Sequence, residues 1–258
     1  MALKINQLFN SVKYLPAIIG LITISSLPVK AATFLASDRA TFGGNDELNW
    51  VSLGKVFNPA APDFSAFLGN SFSATSQGSL GLNVNIASTN NSFITPPFVF
   101  QTLPRPGIPT NFANGDYVLF GGIDQRAFGP NPSFPAPGNG GPLTITFDRP
   151  VFGAGTQIAV DDRPTFDIFV SAYDSANNLL NTFSTKGTSS LLLDNSALFV
   201  GVRSDEANIS RLVFSTSFPQ QGLAINKISI IGVPEPTYTL AILVFGISSV
   251  VLKVRQRI

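Results

Sequence analysis

Few side chains in this 258-residue sequence can do chemistry, and two of the most useful types are missing. Neither His nor Cys occurs. That excludes Ser-His-Asp and Cys-His nucleophile systems, His-liganded zinc, iron–sulfur clusters and disulfides. Carboxylates, Lys, Tyr and hydroxyls remain. The tightest carboxylate group is Asp161-Asp162, with Asp167 shortly after it. Adjacent carboxylates at a strand end are hard oxygen ligands of the kind Ca²⁺ takes, so Asp161 and Asp162 are the candidate calcium ligands. The same pair beside Arg163 also reads as a solvated turn, because alternation sets neighbouring residues on opposite faces while a strand continues. No other cofactor is suggested.

Glycoside hydrolysis by two carboxyl groups needs no His. The available acids, Asp116, Asp124, Asp148 and Asp174, are scattered over expected strand ends, where Asp ordinarily makes turns. Glu occurs at Glu47, Glu206 and Glu235 alone. No motif pairs any of these, and there is neither a Gly-rich phosphate loop nor a nucleophile elbow. The reading is therefore a protein that is not an enzyme. Sugar binding by ring stacking is the alternative, with Trp50, Tyr173 and Phe169 as the rings to present. Most of the 23 Phe must instead fill a core.

These residues need a scaffold, and the composition points to strands. Charged residues are 12% of the chain, about half the usual share. Thr, Ser, Asn and apolar residues dominate over the Glu and Lys of surface helices. Leu143, Ile145 and Phe147 alternate with polar residues. Phe166, Ile168, Val170 and Ala172 do the same, and Asp174 to Asn178 supply a turn into a returning strand over 179–184. Further strands are expected over 198–203, 209–215 and 223–231. In the N-terminal half, Ser37 is placed to cap a short helix, and strands are expected within 64–87, 98–103 and 117–120. The stretch 129–142, with five Pro and four Gly, reads as a long exposed loop. The fold class is all-β, a jelly roll or β-sandwich in one domain over 32–232. From Ala32 to Gly232, 10 Lys and Arg stand against 14 Asp and Glu, a net charge of −4. Such a mildly acidic body, with no basic stripe, argues against a nucleic-acid partner.

Hydrophobic segments flank this body. Lys4 and Lys13 precede an apolar run from Tyr14 to Leu27, followed by Val29-Lys30-Ala31. A basic start, a short apolar stretch and small residues before the cut describe a secretory signal over 1–31, with cleavage between Ala31 and Ala32 by signal peptidase. An uncleaved anchor is the other reading. At the far end, Pro234-Glu235-Pro236 precedes the apolar stretch Tyr238 to Leu252 and the cations Lys253, Arg255 and Arg257. Fifteen residues of helix span about 23 Å, near the lower limit for a single transmembrane helix. The cations place the tail inside and the body outside.

This Pro-Glu-Pro motif, apolar span and basic terminus over 233–258 resemble the PEP-CTERM sorting signal of bacterial proteins. The resemblance implies recognition by an exosortase and delivery to the cell surface or the exopolysaccharide matrix. Lys253, Arg255 and Arg257 are more interleaved than the family's tighter Arg cluster. Several phrases of the body also resemble a recurrent extracellular domain found ahead of that signal. They are Asn114 to Phe120, Thr144 to Phe147, Ala172-Tyr173-Asp174 and Phe199 to Ser204. That likeness implies a jelly-roll sandwich, often without an assigned biochemical activity. Extracellular polysaccharide is the partner that the lectin-like alternative expects.

A sorting signal and a plain anchor differ at Glu235. Glu235→Ala leaves the apolar span and the basic end untouched, so anchoring should persist while trimming near Pro236 stops. The intact mass of wild-type protein recovered from the cell surface should correspond to a chain that starts at Ala32 and lacks Ile258. Retention of Ile258 there would reduce the tail to an anchor.

Overall fold

A computed structural model describes residues 31–104, 108, 110–129, 136–161 and 163–233. The expected signal segment before Ala31, the sorting motif Pro234, Glu235 and Pro236, the apolar tail and the basic Lys253, Arg255 and Arg257 lie outside the described residues. Ala31 and Ala32 lie inside them, immediately before the first strand. Among the described residues, no helix is long and apolar enough to cross a membrane.

The described chain is all-β, built from two antiparallel sheets. The strands are β1 (Thr33–Ala36), β2 (Asp46–Leu48), β3 (Ser71–Thr75), β4 (Gly81–Ile86), β5 (Phe98–Gln101), β6 (Tyr117–Phe120) and β7 (Leu143–Val151). They continue with β8 (Gly153–Val160), β9 (Phe166–Tyr173), β10 (Leu179–Gly187), β11 (Leu198–Ser204), β12 (Ile209–Thr216), β13 (Leu223–Ile225) and β14 (Ile228–Ile231). The six-stranded sheet runs β10-β9-β12-β7-β4-β3. The eight-stranded sheet runs β1-β11-β8-β13-β6-β5, with β14 pairing both β8 and β2.

Period-2 alternation explains how the sheets face each other. On the six-stranded sheet, Leu82, Val84 and Ile86 of β4, Leu143, Ile145 and Phe147 of β7 and Ile168, Val170 and Ala172 of β9 all point inward. There they meet Val99, Leu119, Ile158, Leu223 and Ile225 of the eight-stranded sheet in one buried cluster. The intervening residues Asn83, Asn85, Thr144, Thr146, Ser171 and Tyr173 face out. The sequence pattern and the structure agree here.

The eight-stranded sheet behaves differently, because it is covered on both faces. Its other side carries Phe98, Phe100, Val118, Phe120, Ala159 and Ala224, which form a second cluster with Phe57, Ile108, Phe112, Ile123 and Ala136 from the connecting segments. Ring centroids there lie 4.7 Å apart for Phe57 and Phe98 and 5.3 Å apart for Phe98 and Phe120. Every residue of β8 is buried. A strand covered on both faces shows no alternation, so periodicity does not mark it. Gly155 pairs with Gly201 on β11, and a Cβ on Gly155 would stand 2.6 Å from the Gly201 Cα. That close approach makes room for the Phe42 and Phe199 rings, 5.4 Å apart.

Four local expectations change. The short helix α1 (Arg39–Phe42) is capped by Asp38, whose carboxylate accepts from the Thr41 and Ala40 amides, and not by Ser37. The expected strand over 223–231 is two, β13 and β14, parted at Asn226-Lys227. The expected exposed loop over 129–142 is buried from Gly138 to Gly140. Gly138 N donates to Gln220 O at 2.8 Å and Leu223 N to Asn139 O at 2.9 Å, so this stretch wedges between two backbones with no room for a Cβ. Finally, Trp50 is 0% exposed.

Asn226 causes the break in the last strand. Its Nδ2 donates to Asp116 at 2.7 Å and to Gln157 Oε1 at 3.2 Å, and its Oδ1 accepts from Lys227 N at 2.6 Å. Its main-chain oxygen accepts from Trp50 Nε1 at 2.9 Å and Thr156 Oγ1 at 2.8 Å. Asn226→Ala orphans Gln157 Oε1 and strips a donor from Asp116, at a cost of about 2–3 kcal/mol. Urea unfolding followed by the emission of Trp50, the one Trp in the chain, should show the midpoint fall. An unchanged midpoint would mean that the network contributes nothing.

Candidate functional site

The outward side of the six-stranded sheet is the open face of the described structure. Strand pairing sets its side chains in rows across the sheet. One row runs Leu179, Tyr173, Arg211, Thr146, Asn83 and Ser73. The next runs Thr182, Ser171, Val213, Thr144, Asn85 and Ser71. A shorter row holds Ser184, Phe169 and Ser215, and beyond it Lys186 pairs with Asp167. At a strand spacing of about 4.8 Å, six strands give a face about 24 Å wide.

Hydroxyls and amides dominate this face, and they are held in place. Ser73 Oγ donates to Asn83 Oδ1 at 2.8 Å, and the Ser171 and Thr182 hydroxyls are 2.8 Å apart. The Arg211 guanidinium stacks 4.1 Å from the centre of the Tyr173 ring, fixing the ring against the sheet. Phe169 is 38% exposed, four residues from Tyr173 on the same strand and the same face. Lys186 Nζ and Asp167 Oδ1 form an ion pair at 3.0 Å.

The sequence-level ring candidates therefore separate. Tyr173 and Phe169 share the open face. Trp50 belongs to the core, where its indole N–H is spent on Asn226, so it cannot stack on a sugar. An isolated Trp carries no sequence signal that tells a buried indole from an exposed one.

Of the two calcium candidates, only Asp161 is among the described residues. Asp161 follows β8 and is fully buried, with its amide donating to Gly222 O at 2.9 Å. Asp162 lies outside the described residues. Asp167 sits on the open face of the other sheet, paired with Lys186, and Arg163 stacks on Phe218 at 4.4 Å. Among the described residues, no three carboxylate, His or Cys side chains gather as a metal-binding group.

The scattered acids have local work. Asp116 accepts from Ala113 N at 3.1 Å and from Asn226. Asp148 accepts from Gly81 N at 3.1 Å, and Asp174 closes its hairpin by accepting from Asn178 N at 2.8 Å. Glu47 pairs with Lys227 at 2.9 Å. Asp124 caps a 3₁₀ turn, accepting from Arg126 N at 2.9 Å, and forms an ion pair with the Arg126 guanidinium.

A polar cleft of about 350 Å³, unanticipated from the sequence, lies beside the eight-stranded sheet, lined by residues including Arg39, Gln157, Asn195 and Phe199. Gln157 Nε2 donates to Asn195 Oδ1 at 2.9 Å. Burial lowers the Arg39 guanidinium from its ordinary value, against the opposing charges of Asp116 and Glu47.

No protein-family model matches this chain, and no curated protein matches it. Among solved structures it is similar to a DUF4465 family protein from Bacteroides caccae, at 12% identity and a TM-score of 0.36, over 78% of this chain and 100% of that one. A likeness of this size says nothing about function.

Several carboxylates titrate low. The Arg126 side chain holds Asp124 below the usual carboxylate value. Hydrogen bonds from Thr41, Ser65 and Ser196 lower Asp38, Asp63 and Asp194 respectively. A folded value below the unfolded one gives stability that is full above about pH 4 and is lost as pH falls through the folded value. Thermal unfolding should therefore move to lower temperature between about pH 4 and pH 2. Asp124→Asn should be less stable at neutral pH and show a smaller acid-dependent fall. A parallel fall in both proteins would remove Asp124 from the acid response.

Proposed function

We propose that this chain is an exported, surface-sorted, non-enzymatic protein of the cell surface or exopolysaccharide matrix. Its jelly-roll body lays the open face of the six-stranded sheet against polysaccharide. The observation that carries the reading is this face: a broad field of Ser, Thr and Asn, with the exposed Phe169 ring and the Arg211-stacked Tyr173 ring set among them. Hydroxyls and amides exchange hydrogen bonds with sugar hydroxyls, and rings cover the apolar faces of sugars. The low density of charge suits a neutral or weakly charged polymer.

Binding without turnover is supported by where the acids are. Asp116, Asp148 and Asp174 accept hydrogen bonds from local amides, and Asp124 caps its turn against Arg126. A retaining or inverting pair would need two carboxyl groups facing one another across a sugar. Export and sorting rest on the two terminal segments and their resemblance to the PEP-CTERM signal, with the tail as a single transmembrane helix read by an exosortase.

Protein recovered from the cell surface should bind exopolysaccharide from the producing cells. Tyr173→Ala and Phe169→Ala should each weaken that binding by about tenfold, the loss of roughly one ring contact. Trp50→Phe should alter stability and leave the affinity of the folded protein unchanged. Binding insensitive to both face variants would reject the open face as the contact surface, and hydrolysis of the polymer would reject the non-enzymatic reading.

A further inference from the structure

The two ends of the folded body leave the sandwich side by side. Thr33 pairs with Ser204 and Phe34 with Arg203 at the start of β1. Asp205 N donates to Ala32 O at 3.2 Å, Ser204 N to Phe152 O at 2.7 Å, and Phe152 N to Ile231 O at 2.9 Å. These bonds set Ala32, Ser204, Phe152 and Ile231 in line across β1, β11, β8 and β14. Three strand spacings, about 14 Å, separate the first of these strands from the last. β1 runs away from this end of the sandwich and β14 runs toward it.

The fold stays ordered to the last residue before the tail. Asn45 N donates to Ile230 O at 2.9 Å, Gly232 N donates to Asn45 Oδ1 at 2.8 Å, and Asn45 Nδ2 donates to Gly232 O at 3.3 Å. Only Val233 stands between this clamp and Pro234. In the sequence, Pro234 to Thr237 precede the apolar stretch Tyr238 to Leu252. Four extended residues reach at most about 14 Å. The headgroup layer on one side of a bilayer occupies roughly 5–7 Å of that distance.

This same end exposes apolar side chains that the fold does not use. Phe34 is 55% exposed, Leu35 37% and Val233 43%. Phe34 and Leu35 line a cleft of about 520 Å³ together with Arg203, Ser204 and Asp205. β1 is the edge of its sheet. An apolar edge strand left in water invites pairing with other chains unless something covers it. The exposed charges here, Arg203 against Asp205 and Glu206, are of mixed sign, so an uncharged interface is the matching partner.

We propose that this end of the sandwich is a membrane-facing surface, with Phe34, Leu35 and Val233 seated in the interfacial layer of the bilayer while the tail is in place. The inference rests on the anchoring part of the proposed function. Removal of the tail would free this surface from the lipid and release the body.

The chain contains no Cys, so single reporters are straightforward to place. Leu35→Cys and, as a second reporter at the same end, the exposed Asp205→Cys would each carry an environment-sensitive fluorophore. Gln220→Cys, in the exposed turn at the opposite end of the sandwich, is the control. The chain from Ala32 to Ile258, which carries the tail but not the signal segment, is reconstituted into phosphatidylcholine vesicles with spin label at the headgroup. Quenching at Leu35→Cys and Asp205→Cys should exceed that at Gln220→Cys by at least about twofold. Equal quenching at both ends in protein that floats with the vesicles would overturn this inference and leave the anchor reading standing. Protein that does not float with the vesicles would overturn both.

Discussion

Asn226 spends its side chain and its main-chain oxygen inside the body, and the arrangement around it depends on that. One Nδ2 holds a carboxylate from the segment before β6 and an amide oxygen from β8. The carbonyl holds the indole of Trp50 and the hydroxyl of Thr156. Polar groups buried this deeply are costly unless paired, so the set is stable only when complete. Asn226 lies between the end of β13 at Ile225 and the start of β14 at Ile228. That lets the last strand reach β2 on one side and β8 on the other, so the N-terminal segment, the central strand and the final strand are tied at one point.

That tie lets the eight-stranded sheet be an interior wall. With β8 at its centre and aromatic packing on its outer side, the middle of the sheet is buried on both faces, and its edge strand β1 keeps exposed side chains. Eight of the 23 Phe lie buried in two clusters: one between the sheets, the other between a sheet and the segments that wrap it. The six-stranded sheet is left as the broad exposed surface, and its side chains are those a polyhydroxylated polymer would meet with least desolvation penalty.

The proposed non-enzymatic role draws on both the residue chemistry and the architecture. A chain without His or Cys has few routes to catalysis. Asp116, Asp148 and Asp174 close turns or hold neighbouring amides, while Asp124 holds Arg126. The open face, the clamped C-terminal exit and the apolar edge at β1 are the features on which the proposed delivery, anchoring and presentation rest.

Much of this was legible in the sequence. Strand alternation located the inward faces of β4, β7 and β9, and a run of turn formers located the hairpin at Asp174. The readings of the terminal segments rest on composition and order alone, and those segments lie outside the described residues. Other features were decided only by tertiary contact. β8 is invisible to periodicity because both its faces are buried. Alternation along β9 put Phe169 on the outward face, whereas nothing along the chain marked Trp50 as core, since its burial is set by what packs over it. The stretch from Gly138 to Gly140 reads as a loop by composition and is buried because two backbones close on it. Asn226 looks like any polar residue within an apolar strand until Trp50, Asp116 and Gln157, distant along the chain, converge on it; such convergence is a property of the fold and of no local pattern.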